Sequence, residues 1–145
     1  MAKRQAGSKL MAEFRDKCRA NELSITPQRV AIYTELVKSK KHPSAENVFG
    51  KVRRKFPDIS LDTVYRTLST FAEIGIINVV EGYGEARRYD PDLTAHHHFR
   101  CRKCNKIVDF HENSYDNLKL PKEFGKDYKV TSIKVIIEGL CNKCA

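Results

Sequence analysis

The sequence predicts an α+β chain in two parts, with helices first and a small metal-rich sheet after them. Three observations carry this. Apolar residues recur at helical spacing in successive segments between residues 10 and 75. After Asp90-Pro91 the pattern changes to short apolar runs that suit strands. The second part also concentrates metal-ligand side chains: residues 96–104 read HHHFRCRKC, and Cys141 and Cys144 form a second CxxC at the end of the chain.

The helices follow in order. Residues 1–9 are polar and basic and read as a loose arm. Leu10, Met11, Phe14 and Cys18 give a first amphipathic helix, with Cys18 as a small buried hydrophobe. Asn21 to Ile25 break it. Thr26-Pro27 starts a second helix, Thr as N-cap and Pro at the first helical position, with Val30, Tyr33 and Val37 as its apolar stripe. The basic run Lys38 to Lys41 suits the negative C-terminal end of that helix.

After His42-Pro43, Ser44 caps a third helix with Ala45, Val48, Phe49 and Val52 facing inward. Arg53 to Lys55 read as a solvated end, and Pro57 stops the helix. Ser60 caps a fourth, whose core stripe is Leu61, Val64, Leu68 and Phe71. Its opposite face shows Thr63, Arg66, Thr67 and Thr70, with Tyr65 on the flank. Such a small, hydrogen-bonding face with a single arginine suits entry into a major groove and reading of base edges; an ordinary solvated face is the alternative. Gly75 ends this helix. Ile76 to Val80, a turn at Gly82–Gly84 and Ala86 to Tyr89 read as a hairpin. Helices followed by a hairpin are the plan of a winged-helix DNA-binding domain, here residues 1–89.

In the second part, residues 90–145, an extended His96 to Phe99 puts His96 and His98 on one face and His97 on the other. Two imidazoles on one strand face can share a metal. Cys101 and Cys104 have the spacing of a zinc knuckle, and with Cys141 and Cys144 they predict a four-thiolate Zn²⁺ site. The gap between the pairs exceeds that of a zinc ribbon, which implies a folded sheet between them. Ile107 to His111 read as a strand paired with the His96 strand, Asn113 to Leu120 as a short helix, and Tyr128 to Ile137 as a strand with Ile133, Val135 and Ile137 on one face. So short a sheet has too little core to stand alone. Zinc and a partner subunit are expected to supply the rest, so the domain is expected to dimerise.

The chain has 145 residues and a formal net charge of +9. That is compatible with nucleic acid and does not by itself demonstrate it. No apolar run approaches the length of a membrane span, which excludes a helical membrane protein. No secretory leader is recognisable, so a reducing cytosol is expected, which disfavours disulfides between the CxxC pairs.

With these residues in view the chain resembles the ferric uptake regulator family of metal-dependent transcriptional repressors. The likeness rests on ITPQR at 25–29, HPSAENVF at 42–49, SLDTVYRTL at 60–68, HHHFRCRKC at 96–104, IVDFH at 107–111 and the terminal CNKC. It implies a winged helix plus an α+β dimerisation domain. It also implies a regulatory Fe²⁺ or Mn²⁺ site with His42, Asp90, His96, His98 and Asp109 as ligands, and operator DNA read by Ser60, Thr63, Tyr65, Arg66 and Thr67. Three imidazoles and two carboxylates without a thiolate favour Fe²⁺ or Mn²⁺ over softer ions, Zn²⁺ remaining an option.

Aspartate at both 90 and 109 is similar to the peroxide-responsive branch, in which Fe²⁺-dependent oxidation of a ligating histidine, here His42 or His96, releases metal and DNA. Many iron sensors have a further site whose positions are here Ala95, His97, Asp116 and Ile133, too poor a set for it. His97 and His111 are then structural or solvent-facing. The resemblance implies a homodimeric cytoplasmic repressor. An iron or zinc uptake regulator is the alternative within the class. A non-haem iron metalloenzyme and a metal-storage protein are the rivals outside it, and neither needs a reading helix.

Overall fold

Helix α1 spans Ala2–Ala20 in a computed structural model that describes residues 2–80 and 87–145. The expected loose arm is therefore helical from Ala2. Lys, Arg, Gln and Ala are strong helix formers, and one glycine costs only about 1 kcal/mol. Phe14 and Cys18 are its buried residues. Helix α2 spans Pro27–Lys38, with the Thr26 hydroxyl accepting from the Arg29 N–H at 3.2 Å. Its buried face is Ile32, Tyr33 and Leu36, while Val30 and Val37 pack at the margin. The expected stripe was thus off by a fraction of a turn, because α2 touches α1, α3 and α4 and buries more than one face. Phe14 stacks on Tyr33 at 4.4 Å and meets the edge of Phe71 at 5.4 Å, tying α1 to α2 and to the fourth helix.

Helix α3, Ala45–Val52, opens on a capping box. The Asn47 N–H donates to the Ser44 hydroxyl, and the Asn47 side chain accepts from the Ser44 N–H. It ends before Pro57 acts. The chain turns at Arg53–Lys55 so that Phe56 packs on the core and Ile59 is buried, and this packing stops the helix first.

Helix α4, Leu61–Glu73, is capped by Ser60, which accepts from the Thr63 N–H at 3.0 Å. Val64, Leu68 and Phe71 are fully buried. Leu61 is 38% exposed, which corrects its place in the stripe: the first turn extends past the edge of the core. The end of α4 is a Schellman motif, with the Ile76 N–H on the Phe71 carbonyl and the Gly75 N–H on that of Ala72. It needs a left-handed residue, and Gly75 supplies φ 78°. Lys17 of α1 donates to the Gly75 carbonyl, fastening this end of α4.

Strands β1, Asn78–Val80, and β2, Arg88–Asp90, pair antiparallel with Asn78 opposite Asp90 and Val80 opposite Arg88. The expected hairpin arms are therefore present, and shorter. The Gly82–Gly84 turn and Ala86 lie outside the described residues. The chain divides into two compact units, Met1–Leu93 and Thr94–Ala145. Asp90, expected to open the second domain, closes β2 in the first.

The second unit holds a three-stranded sheet ordered β4-β3-β5. Strand β3, His97–Cys101, pairs antiparallel with β4, Ile107–Phe110, across the Cys101–Cys104 turn. Strand β5, Ile136–Gly139, runs parallel to β3 with His98 opposite Ile136 and Cys101 opposite Gly139. The strand expected over 128–137 is thus cut to its end and extended by two residues. Ladder pairing begins at His98 opposite Ile136, with the Val135 carbonyl accepting from the His98 N–H at its edge, so the residues before Val135 lie outside the ladder. Ile133 and Val135 are half-buried, but Ile137 is exposed. The helix expected over 113–120 is the single turn α5, Asn113–Asp116. Among the described residues, the apolar core cluster lies wholly in the first unit. In the second unit the buried hydrophobic side chains are Cys101, Ile107 and Cys141.

Candidate functional site

The four thiols come first, because β3 and β5 assemble them. Parallel pairing sets Gly139 beside Cys101, so Cys141 arrives two residues later at the first CxxC. The sulfur atoms of Cys101, Cys104, Cys141 and Cys144 lie within 4.8 Å of one another, and Cys104 and Cys141 are 3.8 Å apart. Tetrahedral Zn–S bonds of about 2.3 Å require S···S edges of about 3.8 Å, so the cluster fits the ion.

Amide N–H groups add to this. The Cys141 N–H donates to the Cys101 sulfur at 3.4 Å. Backbone N–H groups of Cys104 and Cys141 pull the Cys101 thiol down to about 6, and that of Lys143 lowers Cys141. Cys144 moves the other way: its hydrogen bond to Cys141 and its burial raise it. The cluster thus holds thiolate readily and resists ionising completely, a balance that a divalent cation resolves. All four are free thiols, as is buried Cys18, so the disulfide alternative does not describe this structure.

The structure gathers the histidines and carboxylates as two groups, one in each unit. In the first, His42 and Asp90 are both buried, with His42 Nε2 at 3.2 Å from Asp90 Oδ2. Asp90 Oδ1 accepts from the Asp92 N–H at 2.9 Å, which turns Oδ2 toward the imidazole. His42 itself is left-handed, at φ 51°. In the second unit His96 and His98 share a face, their rings 4.7 Å apart, as the strand alternation predicts. The register sets His98 opposite Asp109, and His98 Nε2 lies 3.2 Å from Asp109 Oδ1. His96 Nε2 is 3.9 Å from the same oxygen. His96 Nδ1 pairs with the Thr94 carbonyl at 2.7 Å, a contact that places the proton on Nδ1 and the lone pair on Nε2. In both groups an Nε2 atom and a carboxylate oxygen lie 3.2 Å apart, so each pair offers two donor atoms to one cation.

The remaining histidines separate cleanly. His97 is buried; its Nδ1 accepts from the Val135 N–H and its Nε2 donates to Asp116 at 2.8 Å, with Phe110 and Tyr115 around the ring. Both nitrogens are engaged, so His97 fastens α5 and residue 135 to β3. His111 is exposed.

On α4, Tyr65 and Arg66 are exposed, Thr63 and Thr67 half-buried, and Ser60 is spent as the cap. Thr67 and Thr70 return their hydroxyls to the carbonyls of Thr63 and Arg66. Arg66 pairs with Asp62 one turn earlier, at 2.9 Å. Asp62 was not among the residues expected on this face, although an Asp four residues before an Arg on a helix is a recognisable pair. Arg88 is a second residue outside the expected set. That residue's guanidinium donates from Nε to the His42 carbonyl and from Nη2 to the Lys41 carbonyl, and no sequence motif signals such a contact.

Residues 20–138 match the profile of the Ferric uptake regulator family. The peroxide-responsive repressor PerR of Staphylococcus epidermidis is 38% identical over 120 residues, which cover 83% of this chain and 80% of that protein. The peroxide operon regulator of Bacillus subtilis is 38% identical over 122 residues, 83% of each chain. Among solved structures, the Helicobacter pylori ferric uptake regulator Fur, described as having three functional metal binding sites, matches with a TM-score of 0.74. It covers 95% of this chain and 93% of that one at 24% identity, a likeness of fold. With a family profile matched across residues 20–138 and relatives of this identity over most of their length, the chain belongs to the ferric uptake regulator family.

Proposed function

We propose that the chain is a metal-dependent DNA-binding transcriptional repressor that senses hydrogen peroxide, acting as a cytoplasmic homodimer on operator DNA. The observation that carries this is the matched pair of ligand groups. His42 with Asp90, and His98 with Asp109, each set an imidazole Nε2 at 3.2 Å from a carboxylate oxygen. Relatives named as peroxide regulators support the class of signal, and the reading assigns no catalytic residue.

On this reading, His42, Asp90, His96, His98 and Asp109 together hold one Fe²⁺ or Mn²⁺, and the four thiolates hold Zn²⁺. The donor set of three nitrogens and two to four carboxylate oxygens suits those ions. Because one ligand group belongs to each unit, joint ligation holds the two units at one angle. In a dimer this sets the spacing of the two α4 helices and removes part of the ordering cost of binding a two-fold operator. Fe²⁺, when bound, supplies the electron that reduces hydrogen peroxide. The chain's part is to present oxidisable imidazoles, His42 and His96, whose conversion to an oxygen adduct weakens ligation. Short aspartate arms at 90 and 109 suit a site with room for peroxide.

Dimerisation has its own support. Val108, Ile136, Ile137, Val130, Leu140 and Tyr128 are exposed apolar side chains in a unit with almost no core. Such surface favours a partner.

The test is DNA binding of the Fe²⁺ and Mn²⁺ forms before and after micromolar peroxide. The Fe²⁺ form is expected to release DNA and to gain one oxygen on His42 or His96, read by peptide mass spectrometry, while the Mn²⁺ form gains none. Asp109→Glu, which moves the carboxylate by one methylene, is expected to bind Fe²⁺ and DNA but respond poorly. If peroxide leaves Fe²⁺-dependent binding unchanged and both histidines unmodified, an iron-uptake regulator takes this reading's place.

Arg66 carries a separate prediction. Its exposed pair with Asp62 is worth only about 0.3–0.5 kcal/mol, so a guanine edge can displace the carboxylate. Arg66→Ala is expected to cost about 1–3 kcal/mol of operator affinity and to relax preference at one base pair. Tyr65→Phe should have a smaller effect. Equal losses on all sequences, measured at one salt concentration, would assign Arg66 to phosphates instead.

A further inference from the structure

We infer that Arg88 is the positioning residue of the His42–Asp90 ligand group: it grips the backbone of the His42 loop so that the imidazole meets the Asp90 carboxylate. This rests on the metal-site reading above.

His42 has φ 51°, a left-handed conformation that few non-glycine residues adopt unless their surroundings hold them there. The holding contacts come from β2. Arg88 Nε donates to the His42 carbonyl and Nη2 to that of Lys41. The Tyr89 N–H donates to the Pro43 carbonyl at 3.1 Å, and Ser44 forms a bridge with Arg88. Three consecutive loop carbonyls, residues 41 to 43, are therefore bound to two adjacent strand residues. On the far side Ser44 is locked by its capping box, so the loop is held from both ends.

Strand alternation then explains the effect on the site. Arg88 and Asp90 are two residues apart in β2, so their side chains emerge on one face, while Tyr89 points into the core, 1% exposed. One face thus carries two instruments. Arg88 takes the loop by its main chain, and Asp90 meets the same loop's imidazole at 3.2 Å. The planar guanidinium fork can hold two carbonyls at fixed separation, which a lysine ammonium on a flexible stem cannot. An arginine guanidinium carries only donors, so Arg88 is not itself a metal ligand. Its influence passes through His42, as second-shell groups commonly act on ligands.

The alternative is that Arg88 only staples the domain. Arg88→Lys, made in the wild type and in His42→Ala, separates the two. Mn²⁺ affinity, read directly by electron paramagnetic resonance of free Mn²⁺ in the zinc-loaded protein, is expected to fall about 10–100-fold in the wild-type background. In His42→Ala, where no imidazole remains to be placed, the same change is expected to have no effect. A metal-free readout accompanies it: hydrogen exchange at the Tyr89 amide should accelerate in Arg88→Lys, while the Val64 and Leu68 amides of α4 keep their protection. If Arg88→Lys fails to fold, Arg88→Gln is measured in its place. Equal losses in both backgrounds, unchanged Mn²⁺ affinity, or acceleration shared by Val64 and Leu68 would each overturn the inference and leave the metal site standing. A wild-type protein that binds no Mn²⁺ beyond its zinc overturns both.

Discussion

Cys104→Ser is expected to unfold the second unit, with zinc falling from one ion per chain to near none. Among the described residues of that unit, Ile107 is the buried hydrophobic side chain that is not itself a site cysteine, and burying one such side chain is worth only about 1.5–3 kcal/mol. Structural zinc is worth about 10–16 kcal/mol in small zinc domains, so the ion dominates. Heteronuclear spectra should lose dispersion across residues 94–145. Signals from the α1–α4 core should persist, because Phe14, Ile32, Leu36, Leu68 and Phe71 pack within the first unit. Dimers should dissociate in sedimentation. A folded, dimeric variant without zinc would refute the four-thiolate site. Acid offers a second check. The Cys101 thiol is lowered from 9.0 to about 6, chiefly by the Cys104 and Cys141 N–H groups, so its contribution is full above pH 9.0 and is lost as pH falls from there through about 6. Zinc affinity should therefore weaken steadily as the solution is acidified, because protons compete for the thiolates.

His42→Ala is expected to abolish metal-activated DNA binding, weakening Mn²⁺ by about 100-fold or more, since even outer partners of a ligand cost 10–100-fold. Zinc content and dimerisation should not change, because the thiol cluster and the β4-β3-β5 sheet lie in the other unit. His42→Asn is the companion variant. Asparagine tolerates the left-handed backbone that His42 adopts at φ 51°, so it removes the imidazole while keeping the loop. If both variants lose Mn²⁺ alike, the loss belongs to the ligand. If Asn keeps wild-type Mn²⁺ affinity and Ala does not, the imidazole is not required for binding. Titrating Mn²⁺ against operator binding and against metal binding alone distinguishes these outcomes.

Local rules account for what was legible in the chain itself. The caps at Thr26, Ser44 and Ser60, and the left-handed stop at Gly75, depend on backbone groups within a few residues. Alternation within one strand placed His96 and His98 together and His97 apart. The pairing of the two CxxC motifs followed from thiolate chemistry, and the hairpin arms from their apolar runs. The five metal ligands were legible only through family resemblance, since spacing alone does not join His42 to His98.

Other features depended on the partner each segment met in space. The strand expected over 128–137 survives only as Ile136–Gly139, because ladder pairing with β3 starts at Ile136 and of the residues before it Val135 alone touches β3. The stripe of α2 moved to Ile32 and Leu36 because three helices surround it. Leu61 has the spacing of a core residue and lies beyond the core's edge. The grip of Arg88 on the carbonyls of Lys41 and His42 joins residues more than forty positions apart through main-chain acceptors. Every residue carries such an acceptor, so no side-chain pattern encodes the contact, and only the tertiary fold could select it.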